Sequence, residues 1–187
     1  MAMISTTNFT KGMAIMFRSE PHIIVDITFV SPGKGSAFYR TKLRNLKDGR
    51  VHNFTFKSGE KIEEAEVGVR ELQYLYNDGE IYFFMNPTTF EQMEMESGGV
   101  GDFSRFIKDG ETYQVYLWGE KPMAVRPPAK VKLKVVEADP GARGNTATAA
   151  NKTVTLETGY KLSVPLFVNE GDVIIVNPDT GEYVARG

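Results

Sequence analysis

The sequence contains no cysteine. That absence removes disulfide staples, thiol nucleophiles and cysteine-based zinc sites, and it fits a reducing cytoplasm. Histidine is scarce as well. His22 and His52 are the only neutral-pH bases, each lies in a strand-like run, and neither has a serine, a cysteine or a second histidine at catalytic spacing. Both read as structural residues. No His-rich or Asp-x-Asp spacing offers a metal site, and Glu91, Glu94 and Glu96 read as a solvated charge run rather than a cleft. The expectation is a protein that is not an enzyme, with no catalytic residue, no metal and no cofactor. Long apolar runs are missing too. Gly12–Phe17 is short and bracketed by Lys11 and Arg18, so neither a signal peptide nor a membrane span is predicted, and the chain is expected to be cytoplasmic.

The formal net charge is only −2 over 187 residues, but the charge is unevenly divided. Residues 1–64 hold ten Lys/Arg against six Asp/Glu, a net +4. Residues 65–128 hold five against eleven, a net −6, and residues 129–187 hold seven of each. Within residues 31–50, Lys34, Arg40, Lys42, Arg44, Lys47 and Arg50 face only Asp48. Such a field attracts phosphate whatever the whole-chain charge is.

At the basic end, Val30 to Phe38 reads Val-Ser-Pro-Gly-Lys-Gly-Ser-Ala-Phe between two strand-like runs. Pro32 fixes its own φ, and Gly33 and Gly35 tolerate left-handed conformations, so a hairpin tip with Lys34 at its apex is predicted. A nucleotide phosphate loop is excluded. It requires Gly where Thr28 stands and Ser or Thr where Gly35 stands. Read from these residues alone, Lys34 is either a solvated turn residue or an effector.

His22–Val30 is β-branched and apolar enough for a buried strand. After the tip, Ala37, Tyr39, Thr41 and Leu43 alternate with Phe38, Arg40, Lys42 and Arg44, placing three cations on one strand face. Val51–Lys57 is a further strand after the Asp48-Gly49 turn. These 64 residues form a mostly antiparallel β unit of the size of an SH3-like barrel. Residues 67–76 and 80–85 form a hairpin about Asn77-Asp78-Gly79, crowded with Tyr74, Tyr76, Tyr82, Phe83 and Phe84, which either stack bases or fill a core. Residues 87–107 read as irregular, with a helical turn near Phe103–Ile107, before the strand Tyr113–Trp118.

Pro127-Pro128 marks a boundary. Beyond it, Val131, Leu133 and Val135 alternate with Lys130, Lys132 and Lys134 as an amphipathic strand, and Val154–Leu156, Leu162–Val164 and Val173–Val176 are short strands. The fold class is all-β, with three small β-barrel domains: 1–64 SH3-like, 65–128 and 129–187 of the oligonucleotide-binding (OB) type.

Several stretches resemble bacterial elongation factor P, a relative of the hypusine-containing archaeal and eukaryotic translation factor. They are Pro32–Phe38, Leu72–Gly79 with Phe84-Met85, Leu156–Gly159, and Val164–Val168 running on to Glu170-Gly171-Asp172. The resemblance implies a KOW-type SH3-like barrel and two OB barrels in an L-shaped, tRNA-like arrangement. It also implies a monomer that binds the 70S ribosome between the peptidyl and exit sites and relieves stalling at consecutive prolines. By the same resemblance Lys34 is the effector, supported by Pro32, Gly33 and Gly35, and it would receive a β-lysyl-type group from a dedicated ligase, an aminopentanol-type modification being the open alternative. Arg40, Lys42, Arg44, Tyr183 and Arg186 would contact peptidyl-tRNA and rRNA. Gly144-Asn145-Thr146 would face the messenger RNA, with Asn145 where the family usually has Asp. The competing readings are a generic RNA-binding or ribosome-associated β-barrel protein, a paralogue within the family and, third, a hydrolase or transferase.

Overall fold

The computed structural model describes residues 2–139 and 151–187. Strands dominate them. The helical residues among them are one α-turn, α1 (Ser97–Val100), and 3-10 turns at Thr6–Asn8 and Gly101–Arg105.

The first unit is built from β1 (Met3–Ser5), β2 (Ala14–Phe17), β3 (Glu20–Val30), β4 (Phe38–Asn45), β5 (Val51–Lys57) and β6 (Lys61–Glu63). Strands β2 to β5 pair antiparallel in chain order, and β1 pairs with β6. Its core is Phe9, Ile15, Ile24, Leu43 and Phe56, with Phe9 edge-on to Phe56 at 5.4 Å. The period of two on β4 decides the faces: Thr41 and Leu43 are buried while Arg40 and Lys42 are exposed. Between Ile24 and Asp26 the β3–β4 register slips by one residue, a bulge that twists the hairpin and sets Asp26 opposite Lys42.

The second unit comprises β7 (Val67–Asn77), β8 (Ile81–Met85), β9 (Gln92–Glu96), α1, β10 (Thr112–Trp118) and β11 (Lys121–Arg126). The sheet order is β11-β10-β7-β8-β9, and β9 returns beside β11 to make a nearly closed barrel. Two of its strands were not expected. Residues 87–107 are not irregular throughout: in β9, Met93 and Met95 are buried while Glu94 and Glu96 point outward, so the charge run is one face of a strand. Met and Glu have weak strand propensity, and closing the barrel overrides it. β11 carries Pro122, which is tolerated because β11 ends the hydrogen-bonded order.

The third unit has β12 (Val131–Ala138), β13 (Asn151–Leu156), β14 (Lys161–Pro165), β15 (Val173–Asn177) and β16 (Glu182–Arg186), in the order β14-β13-β12-β15-β16. Strand β12 is shared along its length. Val131–Lys134 pair with β15, and Val135–Ala138 pair with β13. Val131, Leu133 and Val135 point inward, each burial contributing about 1.5–3 kcal/mol. Tyr183 and Arg186, which would otherwise read as a tail, lie in β16 and complete the sheet.

The units meet through specific contacts. Ile23 and Leu46 of the first pack with Met123 and Ala124 of the second, supported by Val67 and Tyr116. The β4–β5 turn sits directly on α1: Gly49 holds φ +73°, and a Cβ there would strike the Gly98 carbonyl. A Cβ on Gly98 would come within 2.9 Å of the Asp48 carbonyl oxygen. Backbone therefore meets backbone, which only glycine permits. Between the second and third units the buried core is continuous, with Phe106 edge-on to Tyr160 at 4.9 Å, Lys108 paired with Glu157 at 3.3 Å, and the Thr158 hydroxyl donating to the Arg105 carbonyl at 2.7 Å. Among the described residues no helix is long and apolar enough to cross a membrane.

Candidate functional site: a basic arm ending in Lys34

Strands β3 and β4 are the longest antiparallel pair of the first unit, and their register runs to Val30 opposite Phe38. Residues 31–37 close the hairpin, and Ser31 to Ser36 are all exposed. Lys34 stands in the middle of this tip, and its side chain makes no ion pair or hydrogen bond with the described residues. Gly35 adopts φ +110°, the left-handed backbone that a side chain would strain, with Pro32 Cγ the nearest atom a Cβ would meet, at 3.9 Å. Gly33 does not enter that region, so one glycine makes the turn where two were expected.

The cations of β4 have different surroundings. The Arg40 guanidinium lies over the Phe38 ring at 5.5 Å, and Lys42 stands opposite Asp26. A shallow groove runs beside both, lined by Asp26, Thr28, Asn53 and Thr55. Arg44 departs from the expected common face in a functional sense, because it is half-buried at the junction with the second unit. There it lines a cleft with Lys11, Tyr116, Arg126 and Asp179. Burial pushes the Tyr116 phenol above its ordinary value, and the Arg126 and Arg44 charges partly oppose that rise.

The aromatic crowd on β7 and β8 divides. Tyr74, Tyr82 and Phe84 are buried in the core, whereas Tyr76 stacks on Phe83 at 4.6 Å on the outside. An exposed aromatic pair also braces the arm: Phe29, 54% exposed, lies 5.0 Å from Tyr39. Sequence reasoning passed over this pair, although equal spacing on either side of the tip was available to reveal it.

Tyr183 packs partly against the third unit's core and borders a shallow surface with Tyr160, Lys161 and Ser163. Arg186 donates to Asp172 Oδ1 at 2.7 Å. The Asp172 carboxyl is held below its ordinary value, first by the Asn169 backbone N–H it accepts and then by Arg186. Gly144, Asn145 and Thr146 lie outside the described residues. His22 is buried, its Nδ1–H donating to the Glu20 carbonyl at 2.9 Å, with its ring edge-on to Phe17 at 5.4 Å. His52 lies 6.0 Å away, ring to ring. Neither ring hydrogen-bonds a serine or threonine hydroxyl among the described residues. Among the described residues no group of three or more His, Asp or Glu gathers as a cation site.

An SH3-sized unit with a protruding basic arm, followed by two strand-built units, defines a β-barrel factor whose distinctive group is an unpaired lysine. Comparison with known proteins gives the family. Residues 5–62 match the model "Elongation factor P (EF-P) KOW-like domain", residues 67–125 match "Elongation factor P (EF-P) OB domain" and residues 131–186 match "Elongation factor P, C-terminal". The chain is 42% identical over 184 residues to elongation factor P of Alkaliphilus oremlandii (strain OhILAs), covering 98% of this chain and all of that protein. A solved structure of eukaryotic translation initiation factor 5A from Methanococcus jannaschii is similar in fold, with a TM-score of 0.50 at 20% identity over 67% of this chain and 94% of that one. The chain belongs to the elongation factor P family and is a translation elongation factor by that membership.

Proposed function

We propose that this factor binds the 70S ribosome as a monomer between the peptidyl and exit sites, and stimulates peptide-bond formation where consecutive prolines stall it. Lys34 is the effector. The observation that carries this reading is the placement of Lys34 at the exposed apex of a basic hairpin, with no ion-pair partner among the described residues to hold it back.

The chemistry asked of Lys34 is positional. A cation on the end of the arm binds the phosphates and ribose of the acceptor end of peptidyl-tRNA, and it need neither give nor take the reacting proton. Proline is a constrained participant because its ring fixes φ. Restraining the tRNA end in an attack-ready pose lowers the entropic part of the barrier, and a tenfold gain in rate requires only about 1.4 kcal/mol. A β-lysyl-type group added to Lys34 by a ligase lengthens the arm: the amide formed neutralises the Lys34 amine, and the added group's own amines carry the positive charge further out. Pro32, Gly33 and Gly35 shape the tip for both events. Arg40 and Lys42 bind RNA phosphate along the arm, Arg44 assists from the inter-unit cleft, and Tyr183 and Arg186 hold the tRNA body. Gly144-Asn145-Thr146 faces the messenger.

The test is a reconstituted translation assay on a template with a run of proline codons, comparing the native factor with Lys34→Ala. Loss of stimulation with ribosome binding retained is the expected result, and full stimulation by the variant would overturn the assignment of Lys34. Peptide mass spectrometry of the factor from its own host reads the modification directly: a mass increment on Lys34 supports it, and an unmodified tip peptide rejects it.

A further inference from the structure

The alternating lysines of β12 have no part in the function proposed above. Lys130, Lys132 and Lys134 are all exposed, on or beside a strand whose other face is buried in the third unit's core. Residues two apart on one strand face recur about every 6.5–7 Å, so Lys132 and Lys134 leave the strand about one such repeat apart, with Lys130 just ahead of it. Phosphates along an RNA strand repeat at a comparable interval.

Among the described residues no carboxylate pairs with this row. In the register with β15, Lys132 lies opposite Ile175 and Lys134 opposite Val173, both uncharged. The Glu157 carboxylate, which reaches the Lys134 backbone, is already engaged by that N–H at 2.8 Å and by the Lys108 ammonium at 3.3 Å. Asp172, close by in the chain fold, is committed to Arg186 and to the Asn169 N–H. None of the three lysines has a carboxylate within ion-pair distance among the described residues. The stretch 140–150 contains no Asp or Glu that could supply one. Three like charges on adjacent same-face positions repel one another, a cost relieved when a polyanion binds.

We infer that the outer face of β12 is a second RNA-binding surface, on which Lys130, Lys132 and Lys134 contact consecutive phosphates of one RNA strand, independently of Lys34. A polyphosphate backbone is favoured over an acidic protein segment. Lys132 and Lys134 share one strand face, and their partners across β15 are the apolar side chains of Ile175 and Val173 rather than a pocket shaped for particular side chains.

The test uses the full chain and a fluorescently labelled, unmodified tRNA transcript, with anisotropy titrations at several salt concentrations. Each phosphate contact contributes about 0.7 to 0.9 to the slope of log affinity against log salt. Lys130→Gln/Lys132→Gln/Lys134→Gln is therefore expected to flatten the slope by about 2 to 3. The corresponding triple arginine variant should keep it, and Lys132→Gln alone should lower it by about one. Because the lysines are exposed, circular dichroism and melting of the glutamine variant should match the native protein. Were that variant to misfold, the arginine triple and the single substitution still decide. An unchanged salt slope in the glutamine variant or in Lys132→Gln overturns the inference. So does a loss of binding to polyglutamate with tRNA affinity intact. Lys34→Ala serves as the independent arm, and its failure in translation with the β12 slope preserved would leave the two sites separate.

Discussion

Two strands of this molecule carry cations at every second position, β4 with Arg40, Lys42 and Arg44, and β12 with Lys132 and Lys134 following Lys130. As letters their outward faces are equivalent, although β4 buries Thr41 and Asn45 beside Leu43 where β12 buries only Val131, Leu133 and Val135. The difference lies in where each strand leads. β4 runs from a free hairpin tip to a junction with the next unit, so its cations are graded: Arg40 near the tip lies over Phe38, Lys42 faces Asp26, and Arg44 is enclosed with Tyr116 and Arg126. β12 is paired on one side or the other along its length inside a single sheet, and its lysines have the same kind of surroundings. One strand is an arm with an effector at its end, and the other is a static contact face.

The sharpest way to break this comparison is to exchange effector for surface in the polyproline assay. Lys34→Ala is expected to abolish stimulation at every factor concentration. The β12 glutamine triple is expected to raise the concentration giving half-maximal effect while leaving the maximum intact. If the β12 variant instead lowered the maximum as Lys34→Ala does, the distinction between arm and face would be lost.

A smaller effect is expected where the arm is mounted. Gly49 combines φ +73° with backbone contact against Gly98, so Gly49→Ala adds both conformational strain and a clash. A loss of roughly 1–3 kcal/mol in unfolding free energy is expected, measurable by urea titration. Limited proteolysis should show earlier cutting between the first and second units. An unchanged titration midpoint would mean that the first unit is not held by this contact.

The alternation of β4 and β12 was legible because one face of each is buried, and a one-residue slip would have exposed that face. The Pro32–Gly35 tip was legible for a similar local reason, since proline and glycine fix turn geometry on their own. β9 and β11 were not. Gln-Met-Glu-Met-Glu has the right period but the wrong propensities, and Lys121–Arg126 contains Pro122, so only closure of the barrel makes strands of them. β16 read as a tail because its pairing partner, β15, supplies the reason for its conformation. The different fate of Arg44 was invisible for a tertiary reason: nothing local to β4 records that Tyr116, Arg126 and Asp179 come from other units to enclose it.

That gradation along β4 is testable with the same tRNA titration. Arg40→Gln/Lys42→Gln is expected to reduce the salt slope by about one to two. Arg44→Gln should reduce the slope by less than that, and it should let the Tyr116 phenol rise somewhat further above its ordinary value, since Arg126 remains to oppose burial. Equal slope changes for the two variants would show that Arg44 contacts the RNA as directly as the arm cations do.

The smallest effect concerns the ion pair that anchors the end of β16. Arg186 holds Asp172, whose carboxyl is pulled below its ordinary value by the Asn169 N–H and by the guanidinium. A carboxylate depressed in the folded state contributes stability that is fully present above its unfolded value, near pH 4, and lost as pH falls through the folded value. Asp172→Asn should therefore lower the melting temperature slightly at neutral pH, and the gap from the native protein should narrow as the buffer is taken below about pH 4. The same substitution frees Arg186, which lies opposite Ile174 on β15 rather than beside the β12 lysines. Since Arg186 is proposed to hold the tRNA body, Asp172→Asn should strengthen tRNA binding and steepen its salt dependence by up to about one, whereas a purely structural ion pair would change the melt and leave the titration untouched.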